Sequence, residues 1–475
     1  MDEIKLSNDV FEQIKDFPSS FWDLTEEQKS LIDKLILNEE LKKRYRKYGL
    51  CKICKQPNTS YEWCQSIHIH LKQDFKSWTS GNNEVDKFIR EAQLKAKNRY
   101  QILEWIEYDK FEDIEYLAKG GFGTTYKAIW KDDPFWEKNY GDEWKKKGET
   151  KVALKCLHNS QGISAEFFKE LGSNIIASES GKGCLVRCFG ITKDPKTNNF
   201  MMVMDLQKCS LRQHLDDNFN SLSWDEKIDM LRIISIGLSD IHNSGLIHCD
   251  FHCGNLLSSR IYGYGIYITD FGLCQPANVK SSQGDNKKTY GVLPYMAPEV
   301  LRGKEYTQAS DIYGFGIIAY EICTGLPPYH DIPHDEFLAI KICNGLRPKS
   351  NYKIPQLIID MINQCWDADP LKRPKANDLY ELFDNLYYDR NKVVSDTIYK
   401  QCKEADEINE KSSSTVRSPS LSTSTLSYTT HPQAVYTSRL LDFKNLPEPK
   451  NAVEYSESLR MNFTKLDINS KGERN

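Results

Sequence analysis

The order of two hydrophobic periodicities constrains this chain most. Short strand-type runs come first, EYLAKG (115–120), TTYKAIW (124–130), KVALKCL (151–157) and MMVMDL (201–206), and long helical patterns follow from residue 223. Ser223 and Glu226 stand in capping-box spacing, ahead of an apolar face of Ile228, Leu231, Ile234, Leu238 and Ile241. Strands grouped before helices predict an α+β fold in two lobes over residues 111–388, a β-rich lobe followed by a larger helical one.

Two regions flank it. Residues 1–110 read as a small helical module. Thr25 and Gln28 open one helix that runs to Gly49 with Leu31, Ile32, Leu35 and Ile36 on its face, and Val85, Phe88, Ile89, Ala92 and Ala96 mark another. Residues 389–475 read as a tail, mostly disordered, because thirteen of the twenty residues from 411 to 430 are Ser or Thr and bury too little to offset their ordering entropy. Within it, YTSRLLDFKNLPEPKN (436–451) alone has the apolar content to dock somewhere. The fourteen cysteines are scattered through apolar contexts and MDEIKLSNDV is not a secretory pattern, so reduced thiols are expected, in the cytoplasm with the nucleus left open. No stretch approaches about 18 uncharged apolar residues, so no membrane span is expected. The net charge of −4 argues against a nucleic-acid partner, and KKRYRK (42–47) reads as a solvated helix end.

IHCDFHCGNLL (247–257) supports two chemistries. His248 and His252, with Cys249 and Cys253, have the spacing of metal ligands on a helix. Cys249 stands where a metalloprotease needs its glutamate, however, Gly254 follows at once, and no third ligand is near. The alternative is phosphoryl transfer, with Asp250 accepting a hydroxyl proton, Asn255 holding Mg²⁺, and Asp270 of TDFGL binding the metal that bridges the phosphates. Upstream, GGFG (Gly120, Gly121, Phe122, Gly123) offers a hairpin that can lie over phosphates, although glycines mark any tight hairpin. Lys155 of VALK and Glu170 of EFFKEL can pair to hold a lysine against them. MAPE (296–299), SDIYGFG with Asp311 and CWDADPLKRP with Arg373 follow in order.

Seven ordered motifs make residues 111–388 resemble the eukaryotic protein kinases, with the flavour of the tyrosine-kinase-like group. The cysteine-bearing head and Ser/Thr-rich tail resemble a large family of fungal kinase-like proteins. The resemblance implies a bilobal kinase fold using ATP and Mg²⁺ on protein substrates, Ser/Thr in preference to Tyr. It implies that Lys155 contacts the α/β-phosphates, Glu170 positions it, Asp250 orients the substrate hydroxyl, and Asn255 and Asp270 bind Mg²⁺. It places Ala153 and Leu257 around adenine, Met204 as gatekeeper, Asp205 and Leu206 at the hinge, and Leu117 and Thr125 among the nucleotide contacts. Asp311 would brace the catalytic loop, and Glu299 with Arg373 would form a structural ion pair.

The chain departs from that pattern at Ala118 (usually glycine), Thr125 (valine), Cys249 (arginine), His252 (lysine in Ser/Thr kinases) and Val292 (threonine). Loss of the arginine suggests activity independent of the ordinary activation-segment phosphate, and an imidazole at 252 stabilises a transferring phosphoryl group less than a fixed cation. A slow enzyme is expected, its rival being a pseudokinase that binds nucleotide and serves as a scaffold. Cys51, Cys54 and Cys64 with His68 could hold a structural zinc, although Ile67 replaces a fourth cysteine, against three cysteines in a small helical module. The insertion 131–149 carries Trp136, Tyr140 and Trp144, read as an insertion covering its own aromatics or as a docking surface. Oligomeric state is left open.

Overall fold

The computed structural model describes residues 5–18, 21–51, 55–60, 63–64, 78–120, 123–138, 144–157, 164–259, 265–277, 289–388, 393–414 and 428–451. They divide into two compact units, one of residues 1–183 with 187–206 and the other of 184–186 with 207–475.

In the first unit the head begins with helices α1 (Asn8–Ile14), α2 (Glu26–Leu35) and α3 (Glu39–Tyr48). The Thr25/Gln28 capping box forms as its spacing predicts. The single helix expected from 25 to 48 is two, because the chain leaves helical geometry at Ile36 and Asn38 caps a new start by accepting from the Leu41 N–H. Ile14, Ile32, Leu41 and Tyr45 pack into one apolar cluster. Helix α4 (Asn83–Lys95) buries Val85, Ile89 and Ala92.

The head then supplies a strand. Strand β1 (Glu104–Trp105) pairs in parallel with β5 (Cys188–Lys193), so the sheet has six strands in the order β1-β5-β6-β4-β3-β2, the others being β2 (Phe111–Lys119), β3 (Gly123–Lys138), β4 (Trp144–Leu157) and β6 (Phe200–Asp205). Phe111, Trp130, Val152, Leu154, Phe189 and Val203 form its core. The described residues of the insertion are strand. They prolong the β3–β4 hairpin as far as Lys138↔Trp144, with register shifts on both sides of Asp133, where Pro134 follows. The side chains of Trp136, Tyr140 and Trp144 lie outside the described residues.

Helix α5 (Ala165–Ala177) is braced by the head. Phe88 of α4 stacks on Phe168 at 4.8 Å between ring centres. Gln101 donates to the Ile175 carbonyl at 2.9 Å, and Asn98 donates to the Ser178 and Glu179 carbonyls at 2.9 and 3.0 Å. These amides add donors to carbonyls of the last turn of α5 and of the 3-10 turn, Ser178–Ser180, that follows it.

In the second unit, strand β7 (Cys209–Ser210) leads into helices α6 (Leu211–Asn218) and α7 (Trp224–Asn243), the latter with the predicted Ser223/Glu226 capping box. Strands β8 (Leu246–Ile247), β9 (Leu256–Ser259), β10 (Gly265–Ile268), β11 (Gln275–Pro276) and β12 (Thr289–Gly291) are short. Helices α8 (Pro298–Leu301), α9 (Gln308–Thr324), α10 (Glu336–Cys343), α11 (Gln356–Cys365) and α12 (Ala376–Tyr388) follow. Helix α9 is buried along nearly its whole length, which is why apolar residues occupy most of its faces and its buried Asp311 and Glu321 are hydrogen-bonded.

Of the tail, residues 393–414 and 428–451 are described. Helix α13 (Val393–Ser414) is fixed by Asn409, which accepts from the Lys353 N–H at 2.7 Å and donates to its carbonyl at 3.0 Å. Residues 428–451 lie along the unit and include strand β13 (Arg439–Leu441), paired antiparallel with β12. This is the stretch singled out for its apolar content: Leu441 and Leu446 are buried. Among the described residues, no helix is long and apolar enough to cross a membrane.

Candidate active site

In the first unit the Lys155 ammonium on β4 meets the Glu170 carboxylate on α5 at 2.6 Å, with the side chains 12% and 4% exposed. The strand sets the lysine, and the head-braced helix sets its partner. Ala118, Thr125 and Lys155 sit in one row across β2, β3 and β4, and Ala153 pairs with Met204 of β6. Met204 is buried, Asp205 donates its N–H to the Arg187 carbonyl at 2.9 Å, Leu206 is half-buried, and Leu117 is exposed. The Gly120 N–H closes the hairpin on the Gly123 carbonyl at 2.9 Å. Gly123 has to be glycine, since a methyl there would lie 2.3 Å from the Cys156 carbonyl oxygen. Gly121 and Phe122 lie outside the described residues.

In the second unit residues 248–255 form a loop between β8 and β9, not a metal-binding helix. His248 accepts the Asp250 N–H at Nδ1 (3.3 Å), so its Nε2–H donates to the Thr269 carbonyl (3.1 Å), and neither nitrogen is left for a metal. Burial holds the His248 pKa below its ordinary value, against the pull of Asp311 and Asp250. Among the described residues no group of three or more His, Cys, Asp or Glu has metal-binding geometry.

Asp311 fixes this loop. Its carboxylate accepts from the His248 N–H at 2.8 Å and the Cys249 N–H at 3.0 Å, and lies 3.0 Å from His242 Nε2. Cys249 adopts a left-handed φ of 68°, uncommon for a residue with a side chain, and the two amides held by one carboxylate stabilise it.

Asp250 is 5% exposed. Its Oδ2 faces Asn255 Nδ2 at 3.3 Å and His252 Nε2 at 3.6 Å, while Asn255 also donates to the Asp250 carbonyl at 2.9 Å. His252 Nδ1 accepts from the Gly254 N–H, so its proton is on Nε2, toward Asp250. Asp250 Oδ1 is buried with no hydrogen-bond partner among the described residues. A buried carboxylate oxygen without a donor costs energy.

Asn255 precedes β9 and Asp270 follows β10, and the register Leu256↔Ile268 sets both at one end of that hairpin. The Thr269 N–H donating to the Asn255 carbonyl at 3.0 Å locks the arrangement. Asp270 has a φ of 64° and accepts from the Gly272 N–H. Leu257, opposite Tyr267, is half-buried. Arg373 and Glu299 form a bidentate pair at 2.7 and 2.8 Å.

The sequence reading misses the network beneath the loop. Glu321, fully buried, accepts from the Tyr295 hydroxyl and from Arg212, which also reaches the Gly325 carbonyl and Asp216. Burial pushes the neighbouring Cys253 thiol and Tyr295 hydroxyl well above their ordinary pKa values. An Arg and a Glu separated by half a lobe of sequence carry no local signal of pairing. Of the possible zinc ligands, Cys51 and Cys64 are buried, whereas Cys54 and His68 lie outside the described residues.

Residues 111–383 match the family model described as protein tyrosine and serine/threonine kinase. The chain is 30% identical over 296 residues to a probable serine/threonine-protein kinase, roco5, of Dictyostelium discoideum, covering 58% of this chain and 10% of that one. It is 29% identical over 301 residues to the dual specificity protein kinase shkE of the same organism, covering 62% and 38%. Against a putative serine/threonine-protein kinase/receptor of Acanthamoeba polyphaga mimivirus it is 27% identical, covering 62% and 17%. The chain thus spans well under two thirds of the length of these relatives. With the matched region spanning more than half of its residues, this chain belongs to the protein tyrosine and serine/threonine kinase family.

Proposed function

We propose that the chain transfers the γ-phosphoryl group of ATP to hydroxyls of proteins, on Ser/Thr in preference to Tyr. The observation that carries the reading is Asp250, whose Oδ2 is occupied by Asn255 and His252 and whose buried Oδ1 is left to take a proton. Lys155, held by Glu170, would contact the α/β-phosphates. Ala153, Leu257, Met204, Asp205, Leu206, Leu117 and Thr125 would surround the base and sugar.

The donor set suits a hard cation. The Asn255 Nδ2 is engaged with Asp250, which leaves its amide oxygen available, and Asp270 adds a carboxylate. When bound, Mg²⁺ supplies charge neutralisation on the phosphates. His252 presents an imidazole where a fixed cation would serve better, and this observation favours slow turnover, with the scaffold reading at its limit.

The test is Mg²⁺-dependent transfer of labelled phosphate from ATP to dephosphorylated casein by the full chain. Asp250→Asn should lower the rate by about 10²–10⁴-fold, and His252→Lys should raise it. Equal labelling by wild type and Asp250→Asn would sink the reading. ATP binding by thermal shift with no transfer would move it to the scaffold.

A further inference from the structure

The segment ahead of MAPE needs a support other than a phosphate clamp, since Cys249 stands where the kinase pattern has the clamping arginine. Cys249 is buried and lines a small cavity with Asp250, His252, Gly291, Val292 and Tyr306. The whole lining holds the carboxylates of Asp250 and Asp311 and neither a lysine nor an arginine. A phosphate dianion there would meet like charge and have no cation to offset its desolvation.

Two other contacts hold the segment. Strand β13 of the tail pairs Arg439↔Gly291, Leu440↔Tyr290 and Leu441↔Thr289, and the Tyr306 hydroxyl donates to the Tyr290 carbonyl. Among the described residues, these are the hydrogen-bond partners of 289–291. The strand is itself fixed from both ends. Before it, the Tyr436 hydroxyl donates to the Pro328 carbonyl at 3.0 Å, and His334 accepts the Val435 N–H at 3.0 Å. After it, Arg302 pairs with Glu448, and the Lys450 N–H donates to the Cys343 carbonyl at 2.8 Å.

The held segment reaches the Asp250 loop directly. Gly291 and Val292 form part of the cavity wall, and the turn that follows carries Tyr295, whose ring centre lies 5.8 Å from that of His252. His252 in turn faces Asp250 Oδ2. We propose that β13 is an intramolecular activator: its pairing with β12 holds residues 289–292 against the Asp250 loop, the role that an arginine-bound phosphate has where Cys249 stands. The inference rests on the phosphoryl-transfer reading of Asp250. With the tail docked, Tyr295 stays behind His252 and His252 behind the base. With the tail detached, β12 keeps the Tyr306 hydroxyl alone, and the wall beside Asp250 loosens.

The experiment compares the full wild-type chain with the double variant Arg439→Pro and Leu441→Pro, which takes the N–H from both outer positions of the ladder. Hydrogen exchange of amides 289–291 reports the pairing, casein labelling gives kcat and KM, and urea unfolding reports the fold. The variant should lose protection at 289–291 and lose kcat by about 10²-fold, the scale of misplacing a reacting group by about 1 Å, while its main unfolding transition stays in place. A chain without residues 428–475 removes the strand outright and should behave alike. Adding a peptide of residues 428–451 should restore kcat, and phosphatase treatment of the wild type should leave its rate unchanged. A shortened chain that labels casein as fast as the wild type, or faster, overturns the proposal alone, the faster case making the tail a block. A wild type silenced by phosphatase overturns it as well. Lost activity that comes with a shifted unfolding transition and no rescue by the peptide assigns the effect to the fold and overturns it. No transfer by the wild type overturns the proposal together with the reading beneath it.

Discussion

The head and the tail are both appendages to a kinase domain, yet they are attached by different physics. The head enters the first unit's structure. It contributes strand β1, stacks Phe88 on Phe168, and sends the amides of Asn98 and Gln101 to carbonyls at the end of α5. Residues 428–451 lie on the second unit mainly through backbone hydrogen bonds, single side-chain anchors such as His334 and an exposed pair between Arg302 and Glu448, with only Leu441 and Leu446 buried among their large apolar side chains. Leu440 at the middle of β13 is 43% exposed. Attachment by buried apolar surface is part of the cooperative fold, whereas attachment by solvent-accessible hydrogen bonds opens locally.

The largest expected effect is therefore deletion of residues 1–103. Without them Phe168 and the β5 edge lose their cover, and the first unit should no longer melt cooperatively by calorimetry. A sharp transition retained in that fragment would break the contrast. Next, Asn98→Ala removes the side-chain donor to the Ser178 and Glu179 carbonyls, Ser178 keeping only the Gly181 N–H, and should cost about 1–3 kcal/mol in urea unfolding. Deleting residues 428–475 should change the main transition by less than about 1 kcal/mol, since the segment opens without the rest.

The smallest effect is on pH. Burial holds the His334 pKa below its ordinary value, against the opposing pull of its backbone hydrogen bonds to Val435 and Tyr329, with Arg439 lowering it further and Asp335 raising it. With the tail detached, His334 of the second unit gains solvent and titrates nearer its ordinary value, so as pH falls through about 6.5 the detached form takes the proton first. Docking is fully present above that pH and weakens below it, by at most about 1.4 kcal/mol per pH unit. Hydrogen exchange of amides 435–441, corrected for intrinsic rates, should show less protection at acid pH, and His334→Gln should flatten the difference. Protection in the wild type that is unchanged by acid would end this account of His334.

What was legible in the sequence was local. The capping boxes at Thr25 and Ser223 form as their spacing implies, and the strands-then-helices order gives the two units' contents. The loop residues Asp250 and Asn255 come together because five positions of chain hold them, and the β9–β10 hairpin brings Asp270 round to the same end. What stayed hidden was nonlocal or depended on one polar side chain. Asn38 splits a helix whose apolar spacing continues through the break. β1 has two residues and no periodicity to read, and its partner lies far along the chain. The insertion's charges and Pro134 disguised a hairpin extension. The residues that hold α5, Phe88, Asn98 and Gln101, lie before residue 111, outside the stretch that the motifs mark.

The parallel pairing of β1 with β5 sets a timetable for biosynthesis. Every residue of the head leaves the ribosome before Cys188–Lys193 exists, so α1 to α3 can close their own cluster while Phe88 and β1 stay open. At about 5–20 residues per second the wait is on the order of ten seconds. Throughout that interval the nascent chain displays an aromatic face and an unpaired strand edge, which makes this stretch of the message the place where slow codons would do most harm and a chaperone most good.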